Sequence, residues 1–501
     1  MSSIHEQAMN YVYQQVLQRL LGYFDRAERT ALQLLIQRLI VAAGGIEQIG
    51  RYTVLVAFSG GKDSAYTIAF LRAAQLSIAG RSPTSFSLRI ATMRHAGMTS
   101  AVMDNIHRCY SALFLHDDPR VELLVVDHQY VQRFERDLPF STAGREQNRS
   151  DMLLSGHLTA GDGRTTFCNS CYLGMAEFLG RAACWGKGVD VVLSGDSLKE
   201  QKHYATWIMR LAQRTGQPVV DWRKQNFNTA LETIENVGRA YYRELHGEDS
   251  QPADLMARPL GYPNKAIVPK FLSVADLIGC RAEEHWALLT GFLGFRFDDL
   301  SFSFSESDCA NPMLMAHMRG LKAEFVQGRE YSEGIAEYLQ LAKTLMRRKQ
   351  MPQRLVDQAL AAYDDAQKLE ERRALATSYA QEAFGMNEAQ LVCLLFAPFV
   401  DGGAELDSFL RRCHPGMLVA LADLHKALSG QAAPEQVVQW LIDISGLSIK
   451  GLQNLYGKPR VDFNDERSII ARVRASDPDK RQIMTVDPET GHTISEVISG
   501  R

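Results

Sequence analysis

Six residues near the amino end hold the densest chemistry in this chain: Ser59-Gly60-Gly61-Lys62-Asp63-Ser64. They follow an apolar run, Tyr52–Phe58, and precede a helical stretch, Ala65–Ala74. Two glycines directly after a buried strand let the backbone turn tightly and approach a ligand. The next helix offers free N–H groups and the positive end of its dipole, an anion site. Ser59 and Ser64 add hydroxyl donors, Lys62 adds positive charge, and Asp63 could hold Mg²⁺ or orient the ligand. Lys62 and Asp63 are expected on an exposed loop. The spacing is not that of the Walker A loop, G-x-x-x-x-G-K-[ST]. The bland alternative is a strand-to-helix turn with no ligand.

Three later segments carry further candidates. Ser194-Gly195-Asp196-Ser197-Leu198-Lys199-Glu200-Gln201 follows a β-rich run, Val189–Ser194. Glycine and acidic residues just past a strand's carboxyl end lie where α/β sheets bind ligands. Asp196 or Glu200 could coordinate Mg²⁺ with phosphates; a helix N-cap at Asp196 or Ser197 is the plainer reading. Arg258, in Arg258-Pro259-Leu260, could meet phosphate or carboxylate bidentately. Cys168-Asn169-Ser170-Cys171 opens a helical stretch. Two cysteines three apart can put both sulfurs on one ligand, and a helix start lowers their pKa. With no second CxxC, a metal or cluster, a redox or persulfide dithiol, and plain packing all stay open. Cys109, Cys393 and Cys413 read as structural.

The SGGKDS string resembles the SGGxDS signature of the ATP pyrophosphatase, or PP-loop, family. The resemblance implies a doubly wound parallel sheet, adenine nucleotide alpha hydrolase-like, that binds ATP and Mg²⁺. It implies cleavage between the α- and β-phosphates and transfer of AMP to a substrate oxygen. By the same resemblance Ser59, Gly60, Gly61, Asp63 and Ser64 grip the pyrophosphate end, with Lys62 beside them. The ends of the second and third strands should frame the adenine with Thr92, Arg94, His95 and Asp127, unless these are ordinary strand-end polar residues. Many members carry G-H-x-x-D-D after a later strand. Here Gly195 and Glu200 match, Asp196 replaces the His, and Lys199 replaces an Asp. Arg258-Pro259-Leu260 matches the R-P-L of the tRNA-thiolating branch.

Members that thiolate cytidine in tRNA are similar in having a CxxC at this place, a third cysteine and an iron–sulfur cluster. In them the third cysteine closely follows R-P-L; here that place reads Gly261-Tyr262-Pro263. Cys184, Cys280 and Cys309 are the candidates. Cys309 is preferred because SESDCANP reads as a polar, turn-like loop, whereas Cys280 has apolar neighbours. Three cysteine ligands leave one iron of a four-iron cluster open to an extra sulfur. Zn²⁺ completed by a histidine or fourth cysteine is the rival.

The elements that must position these residues read as alternating strands and helices. Residues 4–48 look helical. Phe86–Met93 and Val121–Val126 read as strands, with a helix over Thr99–Phe114 between them. Cys171–Trp185 reads as a helix. Residues 139–163 lack clean periodicity and read as a loop. Such alternation argues for an α/β domain with a parallel sheet. Beyond residue 300 the β signal fades into helix-like composition, and the last 35 residues are polar with two Asp-Pro turns. The expected layout is a helical segment over 1–50, an ATP-binding α/β domain over 51–300 and a mainly α-helical region over 301–501.

Composition limits the functions. The 501 residues are 46% hydrophobic and 23% charged, which excludes a largely disordered chain. Eight cysteines are too few for a disulfide scaffold. No signal-peptide pattern and no apolar run of about 18 residues is present, so a cytoplasmic protein without membrane contact is expected. Lys+Arg 55 against Asp+Glu 58 gives −3, and residues 51–300 carry 28 against 27. RNA binding would therefore need a local patch, such as Arg347-Arg348-Lys349. The substrate, a small molecule or RNA, stays open, as do a sulfur-donor protein and a homodimer. The leading reading is adenylation of a substrate oxygen followed by displacement of AMP by sulfur. The alternatives are a small-molecule ligase or amidating enzyme with zinc or no metal, and a nucleotide-binding regulatory or scaffold protein.

Overall fold

The computed structural model describes residues 3–128, 130–195, 206–213, 227–247, 268–278, 285–296, 311–348, 353–475, 480–486 and 493–499. The amino-terminal helical stretch is two helices, α1 (Ser3–Tyr23) and α2 (Arg26–Ala42). Asp25 breaks them. Its side chain accepts from the Glu28 amide, and Glu28 returns the bond to the Asp25 amide, a capping box.

Six strands form one sheet: β1 (Thr53–Ala57), β2 (Ser87–Arg94), β3 (Val121–Asp127), β4 (Tyr130–Arg133), β5 (Val191–Ser194) and β6 (Lys270–Ser273). Their spatial order is β4-β3-β2-β1-β5-β6, and only β4 runs antiparallel. The central strands β1 and β5 are largely apolar because both faces are covered. One face packs against α1, α2, α3 (Lys62–Ala79) and α4 (Ser100–Ala112) through Leu20, Leu39, Phe70 and Ile106. The other packs against α7 (Asn169–Cys184) and α8 (Phe227–His246) through Phe178, Ala182 and Leu231. Asp190 fastens β5 to β1: its carboxylate accepts the Thr53 amide at 2.7 Å, and its own amide donates to the Thr53 carbonyl.

The stretch read as a loop is largely helix. Residues 142–158 form α5 (Thr142–Leu158), and α6 (Gly163–Phe167) follows. Every residue from Asp151 to Leu158 is buried. A helix covered all round shows no amphipathic stripe, so its period is invisible. Ser141 caps α5 by accepting the Gly144 amide, and the Ser141 amide donates to Asp127 at 2.7 Å. The end of β3 thus fixes where α5 begins.

The region after residue 311 is helical, from Pro312–Leu321 to Ile469–Ala475, as its composition suggested. The polar tail then pairs as an antiparallel hairpin, β7 (Lys480–Val486) with β8 (Thr493–Ser499). Leu153, Leu158 and Phe167 share one core with Leu314, Phe384, Leu394 and Leu410. On α5, Arg145 donates to the Gln381 carbonyl at 3.0 Å and Arg149 to the Gly385 carbonyl at 3.1 Å. Both arginines meet the carboxyl end of helix Ala366–Phe384, where cations are favoured. Among the described residues no helix is long and apolar enough to cross a membrane.

His157 lies inside this shared core. It is fully buried beside the Phe399 ring, and neither ring nitrogen has a hydrogen-bond partner among the described residues. Burial lowers its pKa to about 3 from 6.5. The folded chain therefore excludes a proton that the unfolded chain accepts below about pH 6.5. Stability should be full above that pH and fall toward pH 3, by up to about 1.4 kcal/mol per pH unit from this group. Thermal melts across that window should show a smaller acid loss for His157→Leu than for the wild type. An unchanged slope would remove His157 from the account.

Candidate functional site

The chain leaves β1 through Phe58, whose amide still donates to the Ala91 carbonyl at 2.8 Å. Gly60 then takes φ +80°, a conformation that disfavours side chains. A Cβ there would stand 2.6 Å from a Val102 methyl on α4. Gly61 is the N-cap of α3 and has no side chain to cap with. The Ser59 hydroxyl lies 3.1 Å from that of Ser64, and Ser64 Oγ donates to the Gly61 carbonyl at 3.1 Å. The turn is thus shaped by its own hydroxyls and by the closeness of α4.

Lys62 and Asp63 do not sit on an exposed loop. Both lie in the first turn of α3, and the Lys62 side chain is only 7% exposed. Its amine lies 3.0 Å from Asp63 Oδ1, while Asp63 is 68% exposed. Helix α3 is buried along nearly its whole length, so Lys62 enters the interior before its amine turns toward Asp63. The carboxylate is the part that faces solvent.

The strand order reverses beside this turn. From β1 the chain builds outward to β2, β3 and β4, then crosses to β5 and β6 on the other side of β1. Crevices at the carboxyl ends of strands open at such reversals. Gly195, just after β5, is held close: a Cβ on it would meet Thr67 Oγ1 at 2.3 Å. Thr67 belongs to α3 and donates to the Asp63 carbonyl at 3.0 Å. The segment after β5 and the glycine turn after β1 therefore share the flank of one helix. Asp196, Glu200 and Arg258 lie outside the described residues.

A pocket of about 110 Å³, open to solvent on one side, lies at the carboxyl ends of β2 and β3. Its floor is Arg94, His95 and His128; α5, α7 and α8 wall it through Gln147, Glu177 and Tyr242 among others. His128 holds φ +53° in the β3–β4 turn, uncommon for a residue with a side chain and frequent at functional sites. Thr92 does not line this pocket. It is fully buried, near Tyr110 of α4. Asp127 is buried behind the floor, where burial raises its pKa against the Ser141 amide and Arg94, which lower it.

The walls escaped sequence reasoning, because α5 reads as a loop and α8 enters from far along the chain. One signal was available. Glu235, Gly238, Arg239 and Tyr242 fall at i, i+3, i+4 and i+7, one face of a helix. Behind the wall, Gln147 Nε2 donates to buried Asp151 at 3.1 Å, and His246 Nε2 meets the same oxygen at 2.7 Å. This pair holds the Gln147 amide in place.

The cysteines separate. Cys168 is the N-cap of α7 and is buried in the core shared with the carboxy-terminal helices. Cys171 stands on the first turn of α7, but its side chain lies outside the described set, as do Cys280 and Cys309. Cys184 cannot join them. It ends α7, sixteen residues after Cys168, about 24 Å away at 1.5 Å per residue. Burial raises the Cys184 thiol pKa, as it does for Cys109, Cys393 and Cys413. Among the described residues no three His, Cys, Asp or Glu side chains come together as metal ligands. Of Cys168, Cys171 and Cys309, the set expected to hold a metal or cluster, only the Cys168 side chain is among the described ones.

Comparison with protein-family models, curated proteins and solved structures finds no match for this chain.

The contact between Gly195 and Thr67 is open to test. Gly195→Ala should destabilise the chain by about 1–3 kcal/mol, the usual cost of overpacking. Adding Thr67→Ala should recover part of that loss, so the two changes are non-additive in denaturation experiments. Additive losses would mean that the close approach is absent.

Proposed function

We propose that this chain is an AMP-forming, ATP pyrophosphatase-type enzyme whose doubly wound, adenine nucleotide alpha hydrolase-like domain binds ATP on the turn 59–64. One observation carries the reading. The glycine-capped start of α3 opens onto the carboxyl edge of the sheet beside the reversal of strand order. A helix start of this kind attracts phosphate through its N–H groups and dipole. The close packing of Gly60 and Gly195 supports it, since both leave backbone rather than side chain at the edge.

The residues then divide the work. Ser59, Gly60, Gly61 and Ser64 hold the pyrophosphate end. Lys62, held at Asp63, balances charge on the β- and γ-phosphates as it builds. Mg²⁺, when bound, would neutralise the same oxygens, and the exposed carboxylate of Asp63 is the described group suited to hold it. A substrate oxygen attacks the α-phosphorus. The bond from that phosphorus to the bridging oxygen breaks, and pyrophosphate leaves with the electron pair. A sulfur nucleophile from a donor then attacks the adenylated carbon, and AMP leaves. Support for sulfur is positional: α7, which begins at the cysteine pair, also walls the pocket through Leu173 and Glu177.

Incubation with ATP, Mg²⁺ and a panel of acceptors should yield AMP and pyrophosphate. Asp63→Asn and Lys62→Met should each lower the rate about 100-fold or more while the thermal midpoint stays near that of the wild type. ADP and phosphate as products, or no cleavage across the panel, would overturn the reading.

Anaerobic purification addresses the sulfur step. A brown protein with iron and sulfide, lost in Cys168→Ala, is the expected result. Colourless protein with stoichiometric zinc would favour a ligase or amidating enzyme instead.

A further inference from the structure

Arg94 ends β2 in the pocket floor, half-buried. Its Nη1 donates to the Met98 carbonyl at 3.1 Å, and its Nε is buried with no acceptor among the described residues. The Phe140 ring lies 6.0 Å from the guanidinium carbon. Asp127 faces Arg94 in the strand register, but its Oδ2 accepts the Ser141 amide. Burial works against the charge on both residues, lowering the pKa of Arg94 and raising that of Asp127. A guanidinium has five N–H donors in a planar fork. The buried Nε is the donor left without an acceptor, and Asp127 offsets the charge only in part. An oxyanion in the pocket would supply both charge and acceptors.

The rest of the pocket tolerates an anion and offers it an apolar body. Glu177 and Glu235 line the wall, but each is tied to an arginine on its own helix, Glu177 to Arg181 at 2.7 Å and Glu235 to Arg239. The acidic wall is thereby largely neutralised. Phe140, Phe178 and Leu173 complete it with ring and aliphatic surface. A neutral purine would use the rings but would bring no charge to Arg94. The turn from Arg94 through Met98 leads into α4, whose Val102 abuts Gly60. The floor and the phosphate turn are therefore adjoining parts of one edge.

We propose that this pocket is the acceptor subsite and takes a small organic carboxylate with an apolar or aromatic body, its carboxylate held by Arg94. The inference rests on the adenylation reading above and names the class of substrate for it. Arg94 is then a carboxylate-binding residue rather than part of the adenine frame that the resemblance implies, and the base of ATP lies outside this pocket.

The test uses the full chain and calorimetric titration with phenylacetate, 4-phenylbutyrate and octanoate. Phenylacetamide is the uncharged control, phenyl phosphate the alternative oxyanion and adenosine the base. At least one carboxylate should bind and phenylacetamide should not. Arg94→Gln should weaken that carboxylate tenfold or more at an unchanged melting temperature, and Arg94→Lys should restore part of it. ATP binding, read separately, should persist in Arg94→Gln and be lost in Asp63→Asn. Failure of every carboxylate, equal binding of acid and amide, or tighter binding of phenyl phosphate would overturn the carboxylate class. Loss of adenosine binding in Arg94→Gln would assign the pocket to the base and overturn it as well. Carboxylate binding without any ATP binding would sink the adenylation reading and leave the oxyanion pocket standing.

Discussion

A helix whose N-cap is glycine brings its first turn to the edge of a sheet with no capping side chain of its own. That constraint organises the site. To aim α3 at the carboxyl edge, the chain must turn sharply after β1, and Gly60 does so at φ +80° against Val102. To keep the segment after β5 on the same flank, Gly195 must pass Thr67 with no room for a side chain. Both contacts bring backbone close where a side chain would clash. Lys62 follows the same logic, since its stem is buried and its charge is handed to the exposed carboxylate of Asp63.

The second half of the chain is bound up with that edge. Tyr379, on helix Ala366–Phe384, donates its hydroxyl to the Gly97 carbonyl at 2.8 Å, within the turn between Arg94 and α4. Arg145 and Arg149 join the same helix to α5, which supplies one pocket wall. The carboxy-terminal helices therefore brace the pocket floor and one of its walls. A change in their packing would be felt at Arg94 through Gly97 and Met98.

Much of the scaffold was readable before any coordinates. The apolar runs became β1, β2, β3 and β5 within a residue or two, and α3, α4 and α7 cover the stretches that periodicity marked as helical. The glycine turn sits at the strand-to-helix junction that its composition implied. Two readings failed because the burial of their residues was not visible in the sequence. Helix α5 passed for a loop because its second half is buried on every side and its buried polar residues break the apolar stripe. Lys62 passed for an exposed residue because a lysine is usually solvated. The hairpin β7–β8 was hidden by the polar tone of its segment.

Local order was set by the sequence itself: which residues are strand, which are helix, and where a phosphate could meet a helix start. These depend on neighbours within a few positions, where backbone preference and apolar spacing act. Tertiary structure alone decided that Arg94, Gln147, Glu177 and Tyr242 enclose one pocket, and that Cys184 stands a helix length from Cys168. Those arrangements come from the crossover between β3 and β5 and from the packing of α5, α7 and α8. Distances across a fold are fixed by what the elements bury against each other, and a linear order of residues does not record that.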